Sequence, residues 1–199
     1  NKVIKVEDDY EDVNKLILPG VGAFDYAMTL LIKSPLLSKL NDLVLNNNIP
    51  VLGVCVGMQI MANESEEGSL KGLGWIDATV KKFNTKDSYN NPLPHMGWNN
   101  LQILDQNPLL KNIDKKSRFY FLHSYYFKCN DDRQAVAQTN YGFNFSCALR
   151  KNNIYGVQFH PEKSLKNGIK FHSGNTLDAD DVVYSFNRLM DMGQGFSFL

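Results

Sequence analysis

Apolar residues along this chain follow two spacings. Short continuous runs, several of them bounded by proline or glycine, alternate with stretches in which apolar positions recur every three or four residues. The first pattern predicts strands buried on both faces, the second helices with one buried stripe. Val3, Ile4 and Val6 read as a strand, followed by the solvated acidic turn Glu7-Asp8-Asp9-Tyr10-Glu11-Asp12. Lys15-Leu16-Ile17-Leu18 reads as a second strand, ending at Pro19-Gly20-Val21-Gly22. Residues 24–32 and 35–45 read as helices, with Pro35 suited to the start of the second and Asn46-Asn47-Asn48 closing it. Then comes Pro50-Val51-Leu52-Gly53-Val54-Cys55-Val56-Gly57-Met58-Gln59, an apolar run that changes after Cys55 to the helical spacing of Met58, Ile60, Met61 and Ala62. Strand, helix, strand, helix in this order predicts an α/β domain built on a parallel sheet.

The second half is strand-rich. After the loops Ser65-Glu66-Glu67-Gly68 and Gly72-Leu73-Gly74, residues 75–83 read as a strand and 85–94 as a polar surface loop. His95-Met96-Gly97-Trp98-Asn99 reads as an irregular, aromatic-rich patch, and residues 119–127 as one strand heavy in aromatics. Residues 135–138, 145–149 and 154–159 add strands, the last two joined by a hairpin turn at Lys151-Asn152-Asn153. There is no internal repeat and no low-complexity segment.

Composition narrows the class. A chain of 199 residues makes one domain, or one domain with an appendage. Lys plus Arg equals Asp plus Glu at 21 each, so bulk charge points to neither nucleic acid nor a membrane surface as partner. No apolar run approaches the roughly 20 residues of a membrane span. Asn1-Lys2-Val3-Ile4 leads straight into a strand pattern, with no signal-peptide character. Cys55, Cys129 and Cys147 are far apart with no CxxC pair, which favours reduced thiols in the cytoplasm over a disulfide or zinc framework. No metal spacing links His95, His123 and His172, and neither a metal nor a cofactor is expected.

Cys55 is the first candidate for chemistry. A cysteine at a strand-to-helix turn between Gly53 and Gly57 has the form of a nucleophile elbow, and the start of a helix favours a thiolate. On this stretch alone the thiol reads equally well as a small buried hydrophobe. Gly20-Val21-Gly22 leaves two readings as well, a tight turn or a backbone cradle for an anion. His160-Pro161-Glu162 decides between them. A cysteine nucleophile needs a base and a group that orients the base. Pro161 stiffens the turn that carries both, at the C-terminal edge of a predicted strand, where open α/β sheets place their sites.

Pro19-Gly20-Val21-Gly22-Ala23-Phe24, Gly53-Val54-Cys55-Val56-Gly57-Met58-Gln59, His123-Ser124-Tyr125-Tyr126 and His160-Pro161-Glu162-Lys163-Ser164 together resemble the class I (triad) glutamine amidotransferases. With Ser65-Glu66-Glu67-Gly68 and Pro94-His95-Met96-Gly97-Trp98-Asn99 added, the chain looks like the glutaminase subunit of imidazole glycerol phosphate synthase. The resemblance implies a flavodoxin-like α/β fold with a mostly parallel central sheet. It implies that Cys55 attacks the side-chain amide of glutamine, that His160 is base and then acid, and that Glu162 orients it. The Gly20, Val21 and Gly22 backbone and the N–H of Val56 would form the oxyanion site. Gln59, Glu67, Ser124 and Tyr125 would hold glutamine. Gln59 also lies one helical turn beyond Cys55, on the same face, though such a residue can equally be a plain exposed helix glutamine. Met96, Trp98 and Lys163 would face a (β/α)8-barrel synthase subunit, which receives the ammonia within a heterodimer. The alternative for Trp98 is a plug in the domain's own core.

Two stretches depart from the family pattern. The family opens with a strand and an Asp-Tyr-Gly-x-Gly-Asn-type turn that this chain does not match, so a first strand is expected to be missing. The resemblance covers residues 1–170. Residues 171–199 instead resemble a segment of family 5 extracellular solute-binding proteins, the joint falling at Asn167-Gly168-Ile169-Lys170. The tail can still form a helix capped by Asp178, with Val182, Val183, Phe186, Leu189 and Met190 on one face. Other expectations are a paralogous ammonia supplier for sugar amidation in surface-polysaccharide synthesis, a binding fragment of an importer, or an inactive truncated or chimeric chain.

Overall fold

The computed structural model describes residues 13–84, 91–105, 107–111, 113 and 116–163. The strand expected at Val3, Ile4 and Val6, most of the 85–94 loop, the expected joint and the 171–199 tail lie outside the described residues.

Strand β1 (Leu16–Gly20) pairs parallel with β2 (Val51–Cys55), in register from Leu16↔Val51 to Gly20↔Cys55. On its other side β2 pairs parallel with β11 (Ile154–Val157). The predicted elbow strand is thus flanked on both sides, which is why its residues are mostly apolar. Helix α1 (Phe24–Lys33) buries Phe24, Ala27, Met28 and Leu31, one stripe at helical spacing. The helix expected over residues 35–45 divides into α2 (Leu36–Asn41) and a π-helical turn, Asp42–Asn46. Asp42 takes side-chain hydrogen bonds from both Asn46 and Asn47 while its carbonyl accepts from the Asn47 N–H, a local network that competes with regular α geometry.

After Cys55 only α3 (Val56–Gln59) is helical; Ile60, Met61 and Ala62 continue as turns and are fully buried. A four-residue helix accumulates little macrodipole, so any help it gives a thiolate comes from its first free N–H groups. The chain continues through β3 (Glu64–Ser65) to β4 (Ala78–Lys82), shorter than the strand expected at 75–83.

The second half is antiparallel and strand-rich. Hairpin β10 (Asn144–Lys151) to β11 turns at Asn152, whose φ of 54° is left-handed. Strand β10 also pairs with β9 (Ala135–Asn140) and, at Ser146↔Phe127, with β8 (Tyr125–Cys129). Strand β8 runs antiparallel to β4, and β4 parallel to β3. Two expectations are corrected here. Residues 119–127 are not one strand but two, β7 (Arg118–His123) and β8, parted at Ser124 and paired in different sheets. The patch at His95 is not irregular: β5 (His95–Asn100) pairs with β7 along its whole length as a separate ribbon. Its polarity is inverted, with His95 buried and Met96 and Trp98 exposed, which hides the strand from a search for inward apolar residues. The short β6 (Gln102–Ile103) leads out of the ribbon onto β9. Among the described residues no helix is long and apolar enough to cross a membrane.

Candidate active site

Cys55 sits where β2 gives way to α3, with φ 55° and ψ −115°. Positive φ is rare for a residue with a side chain and marks a backbone held by its surroundings. Two glycines allow that hold. A Cβ on Gly57 would overlap the Leu18 carbonyl oxygen, and one on Gly20 would overlap the Gly57 amide nitrogen. The end of β1 and the elbow therefore pack backbone against backbone, and of the expected oxyanion residues Gly20 adjoins Val56, with Val21 and Gly22 following it in the chain.

The thiol is buried among core residues, and polar side chains also reach it. The His160 ring hydrogen-bonds the Cys55 side chain, and Gln158 Nε2 lies 3.8 Å from Cys55 Sγ. The other two cysteines show the contrast. Burial pushes the Cys129 thiol up to about 12 and raises that of Cys147 beyond the ordinary range, leaving both as inert core groups.

His160 is fixed at both ends. Its N–H donates to the Tyr120 carbonyl at 2.8 Å, its carbonyl accepts from Lys163 N–H, and its Nδ1 donates to Glu162 Oε1 at 2.7 Å. With Nδ1 committed to Glu162, Nε2 is the nitrogen left for sulfur. Residues Pro161–Lys163 form a single 3₁₀ turn that brings Glu162 back to the ring. Burial alone would lower the pKa of His160, but hydrogen bonds from the ring to Cys55 and Glu162 outweigh it and raise the value to about 9. The ring is held as an imidazolium beside the sulfur at neutral pH.

The expected glutamine-holding residues surround this centre in different ways. Glu67 Oε2 accepts from the Phe24 N–H at 2.8 Å, so its carboxylate caps the first turn of α1 just after the Gly20–Gly22 turn. Asp25 clamps the same loop by accepting from the N–H groups of Ser69 and Leu70, which hold its carboxyl below the usual range. Gln59 is buried, not an exposed helix residue, and both its side-chain donors are used: one reaches the Tyr125 carbonyl at 3.2 Å, the other Gln158 Oε1 at 3.0 Å. Ser124 lies at the β7–β8 break and its carbonyl accepts from Phe83 N–H.

The expected interface residues gather elsewhere, on the outer face of the β5–β7 ribbon. Met96 is 64% exposed and Trp98 47%, so Trp98 does not plug the core. Trp98 stands opposite Tyr120, ring centroids 5.7 Å apart, and Lys163 Nζ lies 4.8 Å above the Tyr120 ring. The ribbon thus touches the Pro161–Lys163 turn directly.

Two groups escaped the sequence reading. Gln158 is fully buried in the apolar run 154–159, and a lone amide inside such a run was the available signal. His95 and His123 face each other, Nδ1 to Nε2 at 3.0 Å, and His123 Nδ1 donates to the Tyr125 carbonyl at 2.7 Å. Burial lowers both, to about 4 and about 3, and keeps them neutral. Their residue types gave no sign that the two would be partners. Among the described residues no group of three or more His, Cys, Asp or Glu is placed to hold a metal.

A family model described as glutamine amidotransferase class-I matches residues 2–176. The chain belongs to the class I glutamine amidotransferases. Among curated relatives, the imidazole glycerol phosphate synthase subunit HisH of Leptospira borgpetersenii is 51% identical over 170 residues, 85% of this chain and 83% of the relative. HisH 2 of Methanococcus maripaludis is 49% identical over 156 residues, 78% of this chain and 76% of the relative. These identities place the amidotransferase with the HisH subunits. Solved structures agree on the fold. A glutamine amidotransferase from Thermotoga maritima superposes with a TM-score of 0.55 at 19% identity, covering 78% of this chain and 59% of its own. PurLQS from the same organism gives 0.59 at 16%, covering 94% and 84%.

Proposed function

We propose that this chain is the glutaminase subunit of imidazole glycerol phosphate synthase in histidine biosynthesis, with Cys55, His160 and Glu162 as its triad. The observation that carries the reading is the His160 ring, bonded to Glu162 on one side and to the Cys55 side chain on the other, at an elbow packed against the end of β1. The Cys55 sulfur attacks the carboxamide carbon of glutamine. The negative charge on the carboxamide oxygen is met by N–H groups from the Gly20-Val21-Gly22 turn and from Val56, each donor worth about 3–4 kcal/mol of barrier. The proton on His160 passes to the leaving nitrogen, and ammonia departs from a γ-glutamyl thioester. Water then attacks the thioester, His160 takes its proton, and glutamate is released. Glu162 keeps the ring oriented and stabilises its cationic form throughout.

Gln59, Glu67, Ser124 and Tyr125 form the glutamine pocket, the last two through the backbone bend between β7 and β8. The outer face of the β5–β7 ribbon, with Met96, Trp98 and Lys163, docks a (β/α)8-barrel cyclase subunit, so that ammonia passes within a cytoplasmic heterodimer. Exposed aromatic and methionine side chains flanked by one cation have the composition of an interface core and rim. The names of the relatives favour this partner over a sugar-amidating synthase.

The test is glutamine hydrolysis by the full chain, alone and with a barrel subunit, beside Cys55→Ala. Partner-stimulated hydrolysis that vanishes in the variant is expected. Equal hydrolysis by both proteins would remove Cys55 as nucleophile, and hydrolysis indifferent to the partner would remove the subunit assignment.

A further inference from the structure

We propose that Gln158 is a catalytic residue of this amidotransferase: its carboxamide donates an N–H to the Cys55 sulfur whenever that sulfur carries negative charge, and Gln59 is the positioning residue that keeps the donor turned the right way. The inference deepens the glutaminase reading above and rests on it for the reaction, though not for the interaction itself.

The orientation of the two amides follows from a group that cannot be turned around. A backbone carbonyl only accepts, so the Gln59 atom 3.2 Å from the Tyr125 oxygen must be its nitrogen. The second proton of that nitrogen points to Gln158 at 3.0 Å, and the atom it meets must be the Gln158 oxygen. The Gln158 nitrogen is then the atom facing Cys55 Sγ at 3.8 Å. The same carbonyl fixes the far side. His123 must donate to it from Nδ1, which leaves His123 Nε2 as acceptor for His95 Nδ1–H. One peptide oxygen therefore polarises a buried set of side chains that ends on the nucleophile. Gln158 is fully buried and Gln59 nearly so, and the Gln158 backbone is pinned by its N–H to the Cys147 carbonyl at 2.8 Å. Neither amide can be swung out into water in exchange for the bonds it makes.

The chemistry asks for such a donor twice. Sulfur is anionic before the sulfur–carbon bond forms and the carbon–nitrogen bond breaks. It is anionic again when water attacks the thioester, the sulfur–carbon bond breaks and its electron pair returns to sulfur. His160 has given up its proton to ammonia before the second step and takes a new one from water during it. As the sulfur–carbon bond breaks, Gln158 offers the departing sulfur a donor that does not change its protonation state. A hydrogen bond to an ionised acceptor is about twice as strong as one between neutral groups.

The experiment reads the Cys55 thiolate directly, without glutamine turnover. The rate of alkylation by iodoacetamide is followed against pH in the full chain, with Cys55→Ala as the blank for the two inert thiols. In Gln158→Met, similar in shape but without a donor, the pH midpoint of alkylation is expected to rise by about one unit, a tenfold loss of thiolate below the midpoint. Gln59→Met, which leaves Gln158 in place but free to flip, is expected to shift it the same way by less, and it serves if Gln158→Met does not fold by its circular dichroism melt. In Gln158→Met kcat for glutamine should fall with KM little changed. A midpoint unmoved in a folded Gln158→Met, or in Gln59→Met where the first does not fold, overturns the proposal even if glutamine hydrolysis depends on Cys55. A shifted midpoint in a chain that never hydrolyses glutamine would instead uphold the Gln158 contact and overturn the glutaminase reading.

Discussion

The elbow and the β5–β7 ribbon break the same rule in opposite places. Around the elbow, polar side chains are buried: Gln59, Gln158, His160 and the thiol lie within the parallel sheet's edge. On the ribbon, apolar side chains are exposed: Met96, Trp98 and Leu122 face outward while His95 and His123 face in. Buried polar groups need every bond satisfied, and the elbow set is bonded throughout. Exposed apolar groups need a covering surface, and the ribbon has none within its own described residues. Under the proposed function, the difference separates chemistry, which the domain completes for itself, from docking, which it leaves to another chain.

The sharpest way to break the comparison is at the triad. Replacing His160 with Ala should lower kcat for glutamine by on the order of 10⁴- to 10⁶-fold, measured at saturating substrate. Glu162→Gln keeps a hydrogen-bonding shape beside Nδ1 but withdraws the charge, and its loss should be the smaller by about tenfold or more. If the two losses were equal and slight, the buried polar set would be structural, and the contrast with the ribbon would collapse.

The histidines sharpen it next through pH. His95 and His123 are neutral in the fold, near 4 and 3, but titrate near 6.5 when unfolded. The unfolded chain then binds more protons in acid, so stability is full above about pH 6.5 and falls as pH drops through that value, by up to about 2.7 kcal/mol per pH unit for two groups. His160, raised to about 9, acts in the other direction: its contribution is full below about pH 6.5 and is lost as pH rises through 9. Urea unfolding midpoints at pH 5 and 7 test the acid limb. His123→Phe should unfold more easily at pH 7, where the His95 N–H loses its acceptor, yet lose less on acidification than the parent chain.

Close backbone approach is the third lever. Gly57→Ala puts a methyl group into the Leu18 carbonyl, backbone against backbone, and should cost about 3 kcal/mol. For a domain of this size that is a fall of about 6–12 °C in Tm. Gly97→Ala on the ribbon meets nothing within 4 Å and carries only the strain of φ 128°, so about 1–2 kcal/mol is expected. Thermal melts of the two variants compare a crowded turn with an open one.

How much of this was legible depends on which kind of rule each segment follows. The β1–α1–β2 order came from plain periodicity, because strands buried on both faces and a helix with one stripe obey the ordinary pattern. The Cys55, His160 and Glu162 set was legible because the residue types, the glycines and Pro161 are each needed locally. The ribbon was hidden because its alternation is inverted, and the break at Ser124 because Phe119, Phe121, Phe127 and Cys129 keep the same parity on both sides of it. Gln158 and the His95–His123 pair were hidden for another reason. Their partners are 99, 103 and 28 residues away, and no local spacing encodes a contact made by the closing of a sheet.

The smallest expected effect tests the ribbon. Trp98 is half exposed and packs edge-on against the Tyr120 ring, so Trp98→Ala should change the melting of the isolated chain by less than about 1 kcal/mol. If the face is a docking surface, the same substitution removes an aromatic anchor from its centre and should weaken capture of a barrel subunit by about 2 kcal/mol, roughly thirtyfold in Kd. Lys163→Met removes a cation that sits on the Tyr120 ring and should slow association more than it speeds dissociation, with the difference fading as salt is raised. Binding kinetics at two ionic strengths separate these contributions. A Trp98 variant that melts early but binds normally would turn the comparison around, because the ribbon's outer face would then belong to the domain's own stability rather than to a partner.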